Sequence, residues 1–216
     1  MNSNQPILCY VTDGAALGGD AAALSRVIRS AMQAGVDWIQ LREKTMPACE
    51  LLQLARTAVS EPQRKSRILV NDRLDVAIAA GADGVHLGGS SLPVAEVTGW
   101  LRKESARHHL PADFLVGRSC HSLEEAQRAE REGASYIFFG PVFATPSKTQ
   151  FGAPQGLDRL AEVCRGVRVP VLAIGGITLE NAAQCLSAGV AGFAAIRLFQ
   201  SSIDLKETVL ALRSLR

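Results

Sequence analysis

No apolar stretch in the 216 residues approaches the roughly 20 needed to cross a bilayer. The opening, Met1 to Pro6, is polar and holds no signal-peptide core. A membrane role and a secretory route are therefore not expected, and a cytoplasmic chain is. Charge of one sign is also scarce: the formal net charge is only +2. Without a broad basic surface, a nucleic-acid partner gains little support, and any anion specificity must come from local placement of Lys and Arg. The five cysteines (Cys9, Cys49, Cys120, Cys164, Cys185) are scattered, odd in number and without metal-ligand spacing. Free thiols in a reducing compartment are the expectation. No linker, low-complexity tract or second core interrupts the chain.

What is present is one rhythm. Short apolar runs alternate with segments of helical period. The expected strands are Ile7–Thr12, Trp38–Arg42, Ile68–Asn71, Gly84–Leu87, Phe114–Gly117, Tyr136–Phe139, Val171–Ile174 and Phe193–Arg197. They are apolar on both faces, as parallel strands covered on both sides must be. The helices expected between them are Asp20–Ala34, Pro47–Ser60, Arg73–Ala80, Pro93–Ala106, Ser122–Glu132, Leu157–Cys164, Leu179–Ala188 and Leu205–Leu215. Pro47 and Pro93 suit a first helical turn, and Ser122 ahead of Glu124 and Glu125 is a start signal.

A weak repeat supports this reading. Ala34-Gly35-Val36-Asp37, Ala80-Gly81-Ala82-Asp83, Glu132-Gly133-Ala134-Ser135 and Ala188-Gly189-Val190-Ala191 each precede a strand. Each glycine falls where a helix stops in a left-handed turn. Eight βα units in one domain of residues 1–216, with a polar tail of about 1–6, predict an α/β fold: a (β/α)₈ TIM barrel. An open doubly wound sheet is the alternative. It is disfavoured because Asp13-Gly14-Ala15-Ala16 follows the first strand in place of a Gly-x-Gly-x-x-Gly turn.

Polar residues gather just after the strands, and in a barrel those ends meet at one mouth. Arg42 and Lys44, two apart on an extended segment, point to one side. Asn71, Asp72 and Lys148 join them. Three cations, an amide and a carboxylate describe a polyphosphate with its divalent metal, the carboxylate taking Mg²⁺. Rim salt bridges, Arg42 with Glu43 or Asp72 with Arg73, are the plain alternative. Gly175-Gly176 after the seventh strand reads as a phosphate grip opening a helix, or as a simple tight turn. His121 is either a general base or a loop cap. His86, inside an apolar run, reads as a hydrogen-bonded structural residue. Cys120 borders the site without a clear sign of reactivity.

With these residues in view, the chain resembles the thiamine-phosphate synthase and thiazole tautomerase family. The likeness rests on Gln40-Leu41-Arg42-Glu43-Lys44, Asn71-Asp72-Arg73, Ala82-Asp83-Gly84-Val85-His86-Leu87-Gly88, Thr145-Pro146-Ser147-Lys148 and Ala173-Ile174-Gly175-Gly176-Ile177-Thr178. It implies a transferase of thiamine biosynthesis, joining hydroxymethylpyrimidine diphosphate to a thiazole phosphate with pyrophosphate release. It further implies that Gln40, Leu41, Arg42, Glu43, Lys44, Asn71, Ser119 and Lys148 hold the pyrimidine diphosphate. Thr145, Pro146, Ser147, Gly176, Ile196 and Arg197 would take the thiazole phosphate, and Asp72 would take Mg²⁺. Arg42, Lys44, Lys148 and His121 would serve the chemistry. The partners implied are phosphorylated small molecules, with a homo-oligomer open.

The chain departs from the resemblance in places. Ser91 stands where the family has a second metal carboxylate. Arg118 replaces an apolar residue, and Arg197 occupies a serine-like position. Gly117 to Glu125 looks more like the tautomerase, in which a histidine shuttles a proton on a thiazole carboxylate phosphate. Three expectations follow: a Mg²⁺-dependent synthase, a metal-independent tautomerase using His121, or a degenerate barrel that only binds a thiamin intermediate.

Overall fold

The structure, a computed structural model, describes residues 5–104, 107, 110–145 and 153–215. Eight parallel strands close on themselves in sequence order. They are β1 (Ile7–Val11), β2 (Trp38–Leu41), β3 (Arg67–Asn71), β4 (Gly84–Leu87), β5 (Leu115–Cys120), β6 (Tyr136–Phe139), β7 (Val171–Ile174) and β8 (Gly192–Ala195). Closure falls between β1 and β8, where Ile7 pairs with Gly192 and Tyr10 with Ala195. The helices are α1 (Ala21–Ala34), α2 (Ala48–Val59), α3 (Leu74–Ala80), α4 (Val94–Glu104), α5 (Leu123–Arg131), α6 (Gly156–Gly166), α7 (Leu179–Ser187), α8 (Arg197–Gln200) and α9 (Leu205–Ser214). Among the described residues, no helix is long and apolar enough to cross a membrane.

Period-two alternation sorts the strand residues into two buried layers. Leu8, Tyr10, Ile39, Leu41, Ile68, Val70, Val85, Leu87, Ile137 and Phe139 face the helices. Cys9, Val11, Trp38, Leu69, Tyr136, Phe138, Leu172 and Ala194 fill the barrel interior. Trp38 and Tyr136 meet there with ring centroids 4.7 Å apart. Gly117 makes room for them: a Cβ on it would lie 2.1 Å from Tyr136 Cζ.

The repeated four-residue units now have a mechanical meaning. All four glycines, Gly35, Gly81, Gly133 and Gly189, take positive φ and turn the chain out of its helix. In three of the four, the side chain of the fourth residue then pins the base of the preceding strand. The Asp37 carboxylate accepts from the Leu8 amide, Asp83 from Ile68 and the Ser135 hydroxyl from Val116. Arg213 donates to Asp37 at 2.7 Å and Arg64 to Asp83 at 2.5 Å.

Several boundaries differ from the expected ones. β5 continues through Cys120, so Arg118 and Ser119 are strand residues. β8 stops at Ala195, and Arg197 opens the short α8 instead of ending the strand. Pro47 is the N-cap of α2, not its first turn: φ −55° with ψ 147° is extended. Gly175-Gly176 does not open α7. Thr178 does, in a capping box with Asn181.

Candidate active site at the carboxyl rim

Strand register places interior-facing Gln40, Asn71, His86 and Ser119 at one end of the barrel. Gln40 lies one step below Leu41, which pairs with Val70, while Asn71 pairs with His86. Burial leaves Gln40 only 1% exposed. Its Nε2 donates to Asn71 Oδ1 at 2.8 Å, and Asn71 Nδ2 donates to Asp72 Oδ2 at 2.7 Å. The orientation of both amides follows from Asp72. An ionised carboxylate only accepts, so Asn71 must offer it Nδ2 and turn Oδ1 to Gln40. Gln40 must then present Nε2 to Asn71. Its Oε1 is left buried with no partner among the described residues.

Asp72 sits at φ 62°, a left-handed conformation that Asp tolerates better than most side chains. Its Oδ1 accepts from the Gly88 amide at 3.1 Å and from the Ser91 hydroxyl. Partial burial pushes its pKa up. The hydrogen bonds from Ser91, Gly88 and Asn71, with His86 nearby, outweigh that and hold the carboxyl below the usual range. Ser91 thus braces Asp72 instead of adding a second carboxylate. Arg118 steadies the same loop, donating to the Gly88 carbonyl at 2.7 Å.

The alternative of rim salt bridges is not met among the described residues. Arg73 pairs with Asp75 at 2.6 Å instead of with Asp72. The Glu43 carboxylate turns from Arg42 to the β1 loop, accepting from Thr12 Oγ1 and the Gly14 amide. Thr12 Oγ1 in turn accepts from the Arg42 amide at 2.9 Å. Arg42 and Lys44 join no ion pair among the described residues, so their charges are uncommitted. The Leu41 side chain is buried toward the helices, so only its backbone faces the mouth.

Across the rim, Arg197 donates to Thr145 Oγ1 at 3.3 Å. Ile196 starts α8 without a side-chain cap. Gly175 and Gly176 have φ 95° and 69° and pack on the β6 loop, where the Phe143 amide donates to the Gly175 carbonyl at 3.0 Å. His121 Nδ1 lies 2.5 Å from the Gly140 carbonyl, which can only accept, so Nδ1 carries a proton and donates it there. Burial, reinforced by Glu125 and partly offset by Arg118, pushes the Cys120 thiol up to about 12, which excludes a reactive thiolate there. Pro146, Ser147 and Lys148 lie outside the described residues.

Sequence reasoning missed Thr12, the bracing role of Ser91, the Arg118 tie to Gly88 and the bond between His86 and Ser119. Pairing register would have exposed the last, since His86 and Ser119 both face inward on adjacent strands.

A closed parallel barrel with a carboxylate, buried amides and, among the described residues, cations outside any ion pair at its carboxyl rim has the architecture of a (β/α)₈-barrel enzyme. Comparison with known proteins narrows this. The family model for thiamine monophosphate synthase matches residues 8–199. A putative thiamine-phosphate synthase of Geobacter sulfurreducens is 42% identical over 96% of this chain and 93% of its own length. The thiamine-phosphate synthase of Methanoculleus marisnigri is 45% identical over 86% of this chain and 84% of its own. Among solved structures, thiamine phosphate pyrophosphorylase from Pyrococcus furiosus superposes with a TM-score of 0.74 at 32% identity, over 97% of this chain and 95% of that one. The chain belongs to the thiamine monophosphate synthase family, and with it to the transferases of thiamine biosynthesis.

Proposed function

We propose that the chain joins hydroxymethylpyrimidine diphosphate to a thiazole phosphate and releases pyrophosphate. The observation that carries this is the buried Gln40 Oε1, which has no partner among the described residues. A buried acceptor without a partner costs about 1–3 kcal/mol and calls for an N–H donor. The exocyclic amine of an aminopyrimidine is such a donor. The ring would then hang its diphosphate toward Asn71, Ser119, Arg42 and Lys44, with Lys148 joining them. Thr145, Pro146, Ser147, Gly176 and the turn at Ile196 and Arg197 would take the thiazole phosphate.

The donor set suits Mg²⁺ in a limited way. Asp72 is an ionised oxygen ligand with three of its roughly four acceptor directions already used. That fits an ion that keeps its waters and leans on substrate phosphate. Bound there, Mg²⁺ would neutralise charge on the departing diphosphate. The chain's own residues do the rest. Arg42 and Lys44 meet the leaving oxygens, and Gln40 fixes the ring so that its electrons can support a cation-like exocyclic carbon. The thiazole nitrogen attacks that carbon, so no protein nucleophile is needed.

The test is pyrophosphate release with both substrates, with and without Mg²⁺. Release should need all three, and Arg42→Ala should lower its rate by about 10²-fold. A folded protein that binds both substrates yet releases nothing would sink the reading. His121 separates it from isomerisation. Shuttling a proton is worth about 10²–10⁴-fold, whereas clamping the Gly140 carbonyl is not. His121→Ala should therefore keep pyrophosphate release within about tenfold of wild type.

A further inference from the structure

We infer that Tyr136 and His86 are positioning residues, forming a hydrogen-bond relay from the barrel core that fixes the Ser119 hydroxyl as a donor to the diphosphate. The inference rests on the proposed contact between Ser119 and that group.

His86 is 1% exposed and bridges two hydroxyls. Its Nδ1 lies 3.1 Å from Tyr136 Oη, and its Nε2 lies 2.8 Å from Ser119 Oγ. A neutral imidazole has one donor and one acceptor nitrogen, so the relay runs one of two ways. With the proton on Nδ1, the ring donates to Tyr136 and the tyrosine's own proton is stranded. Tyr136 is fully buried, and among the described residues no other acceptor meets its hydroxyl. With the proton on Nε2, Tyr136 donates to Nδ1 and Nε2–H donates to Ser119 Oγ. The serine proton is then the one left over. Ser119 is only half-buried at the rim, where its proton can reach water or ligand. The second arrangement wastes no buried donor, and a chain of such bonds polarises each member toward its end.

The surroundings keep the relay in place. Tyr136 is wedged between Trp38 and Phe138, with ring centroids at 4.7 and 5.2 Å. His86 stacks on Phe138 at 4.2 Å. The Tyr136 ring is therefore held without its hydroxyl, which makes Tyr136→Phe the clean probe. Removing the whole imidazole would open a hole in the core.

The experiment is a double-mutant cycle read by titration with inorganic pyrophosphate, using wild type, Ser119→Ala, Tyr136→Phe and the pair. Ser119→Ala should weaken binding about tenfold, and Tyr136→Phe about threefold. The double variant should bind no worse than Ser119→Ala alone, because the tyrosine acts only through the serine. Equal weakening by Tyr136→Phe in both backgrounds would overturn the relay and leave the Ser119 contact standing. Wild-type affinity in Ser119→Ala would overturn both. Nitrogen-15 NMR of His86 gives an independent readout. An Nε2–H tautomer is expected, and an Nδ1–H tautomer reverses the relay and refutes it.

Discussion

Replacing Asp72 with asparagine is expected to lower pyrophosphate release by about 10²–10³-fold, the largest catalytic loss in the proposed site. The change is small in shape. Asn is at home at φ 62°, so the backbone strain that alanine would suffer does not arise. Two things are lost. The first is the charge that would hold Mg²⁺. The second is the rule that orders the amides. Asn71 Nδ2 now donates to a pure acceptor at 2.7 Å. An asparagine at 72 can offer Nδ2 itself, and Asn71 then gains by turning its oxygen outward. Gln40 would follow and bury Nε2 where Oε1 had been. A pyrimidine lacking any phosphate should therefore bind about tenfold more weakly to Asp72→Asn, although the metal plays no part in that titration. Unchanged affinity for the bare pyrimidine would show that the amide order does not descend from Asp72.

The same carboxylate sets a pH signature. Its folded pKa lies below the ordinary value because Ser91, Gly88 and Asn71 favour the ionised form against the cost of burial. A depressed carboxyl contributes stability that is complete above the unfolded value of about 4. That contribution fades as the pH falls through the lower folded value. The melting temperatures of wild type and Asp72→Asn should thus differ most near neutrality and converge in acid. A gap that widened in acid would reverse the sign of the shift.

The barrel was legible because its physics is periodic. Apolar runs recur eight times and the glycine stop four times, and each recurrence corrects errors in the others. What the sequence hid were pairings across strands. The Asp in Val36-Asp37 and in Ala82-Asp83 reads as the polar end of a helix stop. Only the register shows that each pins the strand before it. Glu43 reads as one more rim residue. Its side chain in fact closes the β1 loop through Thr12 and Gly14, and leaves Arg42 uncommitted. Ser91 reads as the loss of a carboxylate, whereas its hydroxyl reaches Asp72. Short elements escape the sequence for a simpler reason. The four residues of α8 span about one turn, too few for a helical period to register, so Arg197 reads as the end of a strand.

Substituting valine for Gly176 should damage the fold at the rim severely. Two penalties add. The residue sits at φ 69°, where a β-carbon costs about 1–2 kcal/mol. The added atom would also lie 2.7 Å from the Ala144 carbonyl oxygen and 2.7 Å from Phe143 Cβ. Neither neighbour is the tip of a flexible side chain, so the β6 loop itself must retreat, at about 1–3 kcal/mol. The sum, about 2–5 kcal/mol, is a large fraction of a typical domain's stability. The retreat also moves Thr145, whose hydroxyl receives Arg197 from the far side of the rim. Denaturant unfolding of Gly176→Ala measures the strain in a milder variant. Its KM for the thiazole phosphate should rise while the KM for the pyrimidine diphosphate holds, because Gln40, Asn71 and Asp72 stand on other strands. Equal rises in both would mean that the two halves of the mouth are one mechanical unit, and that Gly176 serves the loop's packing instead of one substrate's phosphate.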